Sequence, residues 1–314
     1  MARRAKGEDV SGWVILDKPS GMTSTRAVSR LRRAFNARKA GHAGTLDPLA
    51  TGLLPVALGE ATKTVPFVMD GAKTYRFTVR WGIETDSCDS EGTQVAASAE
   101  RPSDEAIAAV LARFRGDILQ RPPAFSAIKV DGARAYDLAR AGETVDLAER
   151  QVRIDDIRFL ERPDADHAVF EIDCGKGTYV RALARDLGQA LGCLGHVSAL
   201  RRTRVGPFGE SDMISLEMAE ELLHSAAASQ GVAQVSPCEQ LLRPVATALD
   251  DIPALAISGP DAARLRNGQA VLVRGRDAPV ISGTVYATIG GKLVALGEVR
   301  RGELHPTRIF NLPG

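Results

Sequence analysis

The stretch Gly41-His42-Ala43-Gly44-Thr45-Leu46-Asp47-Pro48-Leu49-Ala50-Thr51-Gly52-Leu53-Leu54-Pro55 decides how the rest of the chain is read. Three Gly and two Pro in fifteen positions predict a stiff, irregular backbone, because Gly permits positive φ and Pro locks φ. One carboxylate, Asp47, and one imidazole, His42, sit inside it. A stiff loop that carries polar side chains is how a scaffold presents reactive groups. The same residues also read as a plain structural turn, with Asp47 before Pro48 as its starter. Spacing alone leaves both readings open.

On the N-terminal side, Gly12 to Leu16 reads as a short buried strand. It is stopped by Asp17-Lys18-Pro19-Ser20-Gly21, with Lys18 at the base of that rigid turn. Thr23 or Ser24 can cap a helix running to about Phe35. Val28, Leu31 and Phe35 give it an apolar stripe, and Arg26, Arg30 and Arg33 share another face. Such a run is ordinarily a solvated face, although its place beside the stiff loop also suits phosphate contacts. On the C-terminal side, Lys73 to Gly82 is a clear strand in which Tyr75, Phe77, Val79 and Trp81 alternate with polar residues. Tyr75 therefore lies on the apolar face, where a core tyrosine is the plain alternative. Asp86, Asp89 and Glu91 do not match the spacing of an EF-hand loop and read as a solvated turn.

Further along, Ser103 caps a helix to about Phe114, with Asp104 and Glu105 at the positive end of its dipole. Arg121 to Gly132 is an irregular excursion, followed by a short helix at about Ala135 to Ala141. With Arg121, Lys129, Arg134 and Arg140, this insertion suits a clamp. Strands at Val152 to Leu160 and His167 to Cys174 lead to Gly175-Lys176-Gly177-Thr178-Tyr179-Val180-Arg181. The P-loop spacing is absent there, so nucleotide binding is excluded. Thr178 instead reads as the N-cap of a helix. That puts Arg181 in the first turn, where the dipole disfavours a cation unless an acidic partner is fixed nearby. His196 to Arg204 reads as a strand containing Leu200-Arg201-Arg202, and helical patterns fill Ser215 to Leu242. Asp250-Asp251-Ile252-Pro253 reads as a linker. The tail holds a helix at Pro260 to Arg266 and strands at Ala270 to Arg274 and Gly283 to Ile289. Gly290-Gly291 reads as a hairpin turn, and Lys292 to Val299 as its return strand.

At 314 residues and 44% hydrophobic, the chain can bury two cores. Its net charge of +1 announces no nucleic-acid partner. Cys88, Cys174, Cys193 and Cys238 lie far apart, which fits neither a zinc site nor a disulfide framework but suits reduced thiols. No apolar region follows the basic first residues and no run of about 18 apolar residues occurs, so a leader or membrane span is not expected. The reading is a soluble intracellular protein, and a monomer.

Taken together these stretches resemble the TruB-type tRNA pseudouridine-55 synthases. The motifs are L-D-K-P-x-G at Leu16 to Gly21, G-H-x-G-T-L-D-P-x-A-x-G-L-L-P at Gly41 to Pro55 and K-x-Y at Lys73 to Tyr75. P-P-x-x-S-A-x-K-x-x-G-x-x-A-Y follows at Pro122 to Tyr136, then G-T-Y-x-R at Gly177 to Arg181 and L-R-R at Leu200 to Arg202. They run in the family's order over about the first 210 residues. The resemblance implies an α/β (α+β) fold: a catalytic domain at 1–250 on a mixed, largely antiparallel sheet flanked by helices. It implies an RNA-binding insertion at about 121–150 and a PUA-like β-barrel RNA-binding domain at 251–314.

The implied activity converts uridine 55 of the tRNA T-arm to pseudouridine. Asp47 would be the essential carboxylate, Tyr75 would stack on the base, and Arg181 would pair with Asp47. His42 would help to extrude the nucleotide, Tyr179 and Leu200 would line the pocket, and Lys18, Arg201 and Arg202 would contact substrate or its phosphates. No metal or cofactor, no membrane and no obligate protein partner are expected, and the location is cytoplasmic. Two other readings are an RNA chaperone without catalysis and a glycosidic hydrolase. The hydrolase is disfavoured because the motif holds no second carboxylate beside Asp47.

Overall fold

The computed structural model describes residues 7–126, 128–130, 132–143, 145–228, 240–273 and 282–312. Strand β1 (Gly12–Lys18) has successive buried residues, Trp13, Val14, Ile15 and Leu16. A strand buried on both sides needs cover on both faces of its sheet. Alternate residues supply it: Val14 and Leu16 join one hydrophobic cluster, Trp13 and Ile15 another.

The other strands of the main sheet or its margins are β2 (Ala40–His42), β3 (Thr51–Leu58), β4 (Lys73–Trp81), the hairpins β5 (Ile83–Thr85) with β6 (Gln94–Ala97) and β8 (Lys129–Val130) with β9 (Ala133–Arg134), β7 (Gly116–Gln120), β10 (Arg150–Asp164), β11 (His167–Cys174), β12 (Gly195–Val205) and β13 (Ile214–Ser215). The main sheet runs β13-β1-β3-β12-β4-β11-β10-β7, with β2 also paired to β3. Only β1/β13 and β3/β12 are parallel. The sheet is mixed and largely antiparallel, as the resemblance implied.

Its helices are α1 (Ser24–Ala34), α2 (Val65–Asp70), α3 (Asp104–Leu111), α4 (Ala135–Arg140), α5 (Val180–Ala190) and α6 (Leu216–Ala228). Residues of α1, α3, α5 and α6 fill the first cluster. Thr23 caps α1 through its side chain and Ser103 caps α3, both as the sequence predicts. Thr178 does not cap α5. Tyr179 holds that position without a side-chain bond.

The C-terminal module comprises β14 (Ala254–Ala256), α7 (Gly259–Arg266), β15 (Val271–Leu272), β16 (Gly283–Ile289), β17 (Lys292–Arg300) and β18 (Glu303–Ile309). Its sheet, β14-β16-β17-β18-β15, curls into half a barrel. Gly290 and Gly291 take φ of 54° and 78°, as a two-residue hairpin turn requires. The expected strand to Arg274 is described only at Val271–Leu272, and residues 274–281 lie outside the described residues. Leu293, Leu296 and Phe310 share the second cluster with Trp13, Ile15, Leu53 and Val245. Lys63 reinforces this contact, donating to the Ile309 carbonyl at 2.7 Å, while the Asn311 amide donates to Glu60 at 2.7 Å. Together with α2, the module thus covers the second face of β1 and β3.

One expectation is corrected here. The stretch 41–55 is not irregular throughout, because β2 ends in it and β3 begins at Thr51. Pro55 lies inside β3 opposite Ile15. Its carbonyl accepts from the Ala43 amide at 2.9 Å, on the side where β2 has already ended. In a strand the N–H and C=O of one residue point the same way, so the missing donor costs no ladder bond. The irregular part is the turn between the two strands, with Asp47 at its centre.

Gly52 starts β3 at a φ of +94°, and a Cβ there would lie 2.3 Å from the Arg202 carbonyl oxygen. Gly21 has a φ of +75° but open space around it. Gly52→Ala is therefore expected to destabilise the protein by about 2–4 kcal/mol, and Gly21→Ala by only about 1 kcal/mol. Urea unfolding of the two variants measures both.

Candidate active site

Asp47 stands in a β-turn: the Ala50 amide donates to the Asp47 carbonyl at 3.1 Å, with Pro48 next in the turn. The turn-starter reading is thus correct for the backbone, and it leaves the carboxylate free for another partner. That partner is Arg181. Its Nε lies 2.8 Å from Asp47 Oδ2 and its Nη2 donates to Oδ1 at 3.3 Å. The Nε–H does not point along the shorter approach, so the attraction there is chiefly Coulombic.

Arg181 is buried and meets more than Asp47. Nη1 donates to the Ser87 carbonyl at 2.9 Å and lies 3.2 Å from Asp89 Oδ2, and Nη2 donates to the Phe125 carbonyl at 2.8 Å. Asp89 is missing from the expected site. The acidic run 86–91 reads as a solvated turn, but Asp89 is buried and accepts from Ser87 Oγ at 2.6 Å and the Glu91 amide at 3.0 Å. The signal that could have found it is Arg181 itself, whose place in the first turn of α5 demanded fixed acids. Cys88, between Ser87 and Asp89, takes a φ of 60°, a left-handed conformation that turns both neighbours onto one guanidinium. The two carboxylates differ in what they can do. The Asp89 side chain is 5% exposed and committed to Ser87, Glu91 and Arg181, whereas Asp47 is 35% exposed and keeps an open side.

That open side faces a cavity of about 330 Å³ lined by Asp47, Pro48, Asp86, Ser87, Asp89, Glu91, Gly92, Thr93, Phe125, Tyr136 and Arg181. Its volume suits a small-molecule-sized guest. Burial, together with the Asp89 and Asp47 charges, pushes the Glu91 carboxyl above its ordinary range. Phe125 and Tyr136, from the insertion, meet edge to face at 6.0 Å between ring centres.

The backbone around Asp47 is fastened from both sides. Lys18 Nζ donates to the carbonyls of Pro19 (3.0 Å), Met22 (2.7 Å) and Pro48 (3.2 Å). Ser24 Oγ bonds both the carbonyl and the amide of Leu46. Arg202 donates to the carbonyls of Gly44 (3.1 Å), Thr45 (3.4 Å) and Leu53 (2.8 Å). Lys18 and Arg202, both expected at the substrate, are buried and donate to these loop carbonyls. Arg201, also expected at phosphates, binds Asp17 and Glu210 instead. Burial pushes the Lys18 ammonium down to about 8, against the opposing charges of Asp47 and Glu91.

Of the remaining expected residues, Tyr75 is half-buried on β4, with Arg202 Cζ 6.0 Å from its ring centre. Burial raises its phenol pKa, so the hydroxyl is neutral at physiological pH. His42 is pushed the other way, by burial and then by Arg202, which keeps the imidazole neutral. Its Nδ1 is buried with no partner among the described residues. The Tyr179 amide donates to Gln120 Oε1 at 2.8 Å, and Leu200 is buried on β12. These four do not line the cavity, while Asp47 and Arg181 do. Among the described residues no cluster of three or more His, Cys, Asp or Glu could hold a metal ion.

Comparison with known proteins bears on this geometry. The profile of the TruB family pseudouridylate synthase N-terminal domain matches residues 32–180, and that of the tRNA pseudouridylate synthase B C-terminal domain matches 181–250. The tRNA pseudouridine synthase B of Bradyrhizobium diazoefficiens is 63% identical over 99% of this chain and 89% of its own length. That of Caulobacter vibrioides is 54% identical over 99% and 100%. The archaeal box H/ACA sRNP Nop10-Cbf5 complex contains a similar chain, with a TM-score of 0.72 and 26% identity over 95% of this chain and 85% of that one.

Asp89→Asn keeps the shape but removes one of the two charges that fix Arg181. Single-turnover conversion of uridine in an RNA stem-loop is expected to fall about 10- to 100-fold, with RNA affinity unchanged in a filter-binding assay. Raising the pH through about 8 takes a proton from Lys18 and weakens its hold on the Pro48 carbonyl. The rate is therefore expected to decline above that pH, and Lys18→Met, slow throughout, should lack this alkaline limb in a pH–rate profile.

Proposed function

Since the chain belongs to the TruB family of pseudouridylate synthases, we propose that its cavity receives uridine 55 of the tRNA T-arm, turned out of the folded loop, and isomerises it around Asp47. Uridine isomerisation in RNA is the family's reaction. The tRNA position, the roles of single residues and the working unit are our reading, and the carrying observation is the Asp47 carboxylate, fixed by Arg181 on one side and open to the cavity on the other.

The reaction breaks the bond from N1 to C1′, turns the base, joins C5 to C1′ and releases the C5 proton. N1 takes up a solvent proton in exchange for the one lost from C5, so the nucleotide's composition is unchanged, no electron is transferred, and the chemistry calls for no cofactor. Arg181 pairs with the Asp47 carboxylate and orients it. The carboxylate then serves at C1′, at C6 or by stabilising positive charge at C1′, three routes that isotope and trapping experiments separate. Tyr75 supplies a neutral aromatic face for the base and assists removal of the C5 proton. His42, neutral and planar, helps to extrude the nucleotide, as base flipping requires. Tyr179 and Leu200 are assigned to the wall around the turned-out nucleotide. The protein works as a cytoplasmic monomer without an obligate protein partner, and the PUA-like module at 251–314 adds RNA contacts.

Hydrolysis of the glycosidic bond is the second reading that an observation favours. The stretch 41–55 holds no second acid, yet the fold brings Asp89 and Glu91 to the same cavity. Product analysis distinguishes it. The protein alone is expected to release tritium from C5-labelled uridine in a T-arm stem-loop, with pseudouridine in the RNA. Free uracil would mean hydrolysis, and full retention of tritium would mean an RNA-binding protein without catalysis. Asp47→Asn is expected to lower release below about one thousandth of the original rate while stem-loop affinity stays within about threefold.

A further inference from the structure

Helix α5 meets the root of the insertion through residues at matched spacing. Arg181 and Arg185 lie one helical turn apart, and the carbonyls they reach belong to Phe125 and Arg121, also four residues apart. Arg181 Nη2 donates to the Phe125 carbonyl at 2.8 Å, and Arg185 Nη2 donates to the Arg121 carbonyl at 2.8 Å. Just before them Gln120, at the end of β7, accepts from the Tyr179 amide at 2.8 Å. Three hydrogen bonds in register fasten residues 120–125 along the start of α5.

These bonds matter because the junction also carries a cost: Gln120 Nε2 is buried with no hydrogen-bond partner among the described residues, which lowers stability rather than adding to it. Beyond the junction lies the aromatic wall of the cavity. The Tyr136 amide donates to the Ser126 carbonyl at 3.0 Å, and Phe125 and Tyr136 both line the cavity. Arg181 cannot set this wall independently of the reacting carboxylate, because the same Nη2 also serves Asp47. Arg185 has no such tie. Its guanidinium is oriented by Asp186, 2.8 Å from Nη2 and 2.9 Å from Nε, and its side chain is only 15% exposed.

We propose that Arg185 is a positioning residue: by holding the Arg121 carbonyl it fixes the root of the insertion, and hence the Phe125–Tyr136 wall that the RNA nucleotide meets. It acts on capture of the substrate and leaves the Asp47–Arg181 pair unchanged. The role in capture rests on the proposed RNA substrate, whereas the fastening of the insertion root does not.

Two variants of the full chain test it, each with two readouts. Arg185→Met is expected to raise KM for a T-arm stem-loop about tenfold, the loss of one charge-assisted hydrogen bond, with kcat within about twofold. Arg185→Lys, which keeps one donor, is expected to stay within about threefold of the original KM. Independently of any substrate, amide hydrogen exchange of the 124–126 segment should quicken in Arg185→Met while β4 and the middle of α5 keep their protection. Unchanged exchange at 124–126 would overturn the fastening role. Unchanged KM, or a fall in kcat at constant KM, would overturn the role in capture. If Arg185→Met does not fold, Arg185→Lys carries the same comparison, with a KM rise of about two- to threefold and a smaller gain in exchange. If no stem-loop is turned over at all, the proposed substrate is wrong, and the exchange result still decides the fastening.

Discussion

A guanidinium with 6% of its side chain exposed must have its charge and donors answered by the protein around it. Arg181 gathers those answers from segments far apart in sequence: Asp47 from the turn between β2 and β3, Ser87 and Asp89 from the turn after β5, and Phe125 from the insertion. A cation at the start of α5 opposes the helix dipole, and two carboxylates at the same point reverse that penalty. Breaking one partner of so buried a pair leaves the other charge uncompensated, which costs about 3–5 kcal/mol. The ion cluster therefore fixes the relative positions of three loops that have no sheet pairing with one another.

The turn bearing Asp47 is rigid for a second, independent reason. Its carbonyls are the acceptors for two buried cations, Lys18 from the strand before it and Arg202 from the strand beside it. Burial disfavours both charges, yet three carbonyls around Lys18 use all three donors of an ammonium. A carboxylate held this way needs little reorganisation when charge develops near it. The same pattern accounts for the burial of two basic residues, Lys18 and Arg202, beside the turn. Their charge is balanced inward, by backbone dipoles.

The sheet was legible in the sequence where side-chain alternation was clean, as in β4 and β11, and the helices where Thr23 and Ser103 announced their starts. The boundaries of β3 were not. Pro55 and Gly52 read locally as breakers, and only the neighbouring strands show that neither donor nor Cβ is needed there. Asp89 was hidden for a related reason. Acids beside Ser and Gly are common in solvated turns, and burial of this one depends on α5, about ninety residues later. Arg30 reads with its neighbours as an open basic face, but a bidentate bond to Glu220 on α6 engages it. In each case the local rule held for isolated chain, and a distant partner changed the outcome.

The charge distribution around the cavity follows one physical logic. Four carboxylates line it, Asp47, Asp86, Asp89 and Glu91, against Arg181, whose two terminal nitrogens already donate to protein oxygens. Such a space resists a phosphate, because an anion there would meet excess negative charge in a partly desolvated site. A uracil base carries no charge and meets no such barrier. The exposed cations, Arg26, Arg33, Lys39, Arg121 and Lys129, lie instead on α1, before β2 and in the insertion, outside the cavity lining. Backbone anions can be held there and only the base admitted further, which separates positioning from chemistry in the way RNA recognition generally does. The same negative interior favours any positive charge that develops at C1′ when the glycosidic bond loosens. Arg181 then limits how far Asp47 shares in that field, since its charge holds the carboxylate in one orientation. The cluster that fixes the loops thus also sets the electrostatic character of the space they enclose.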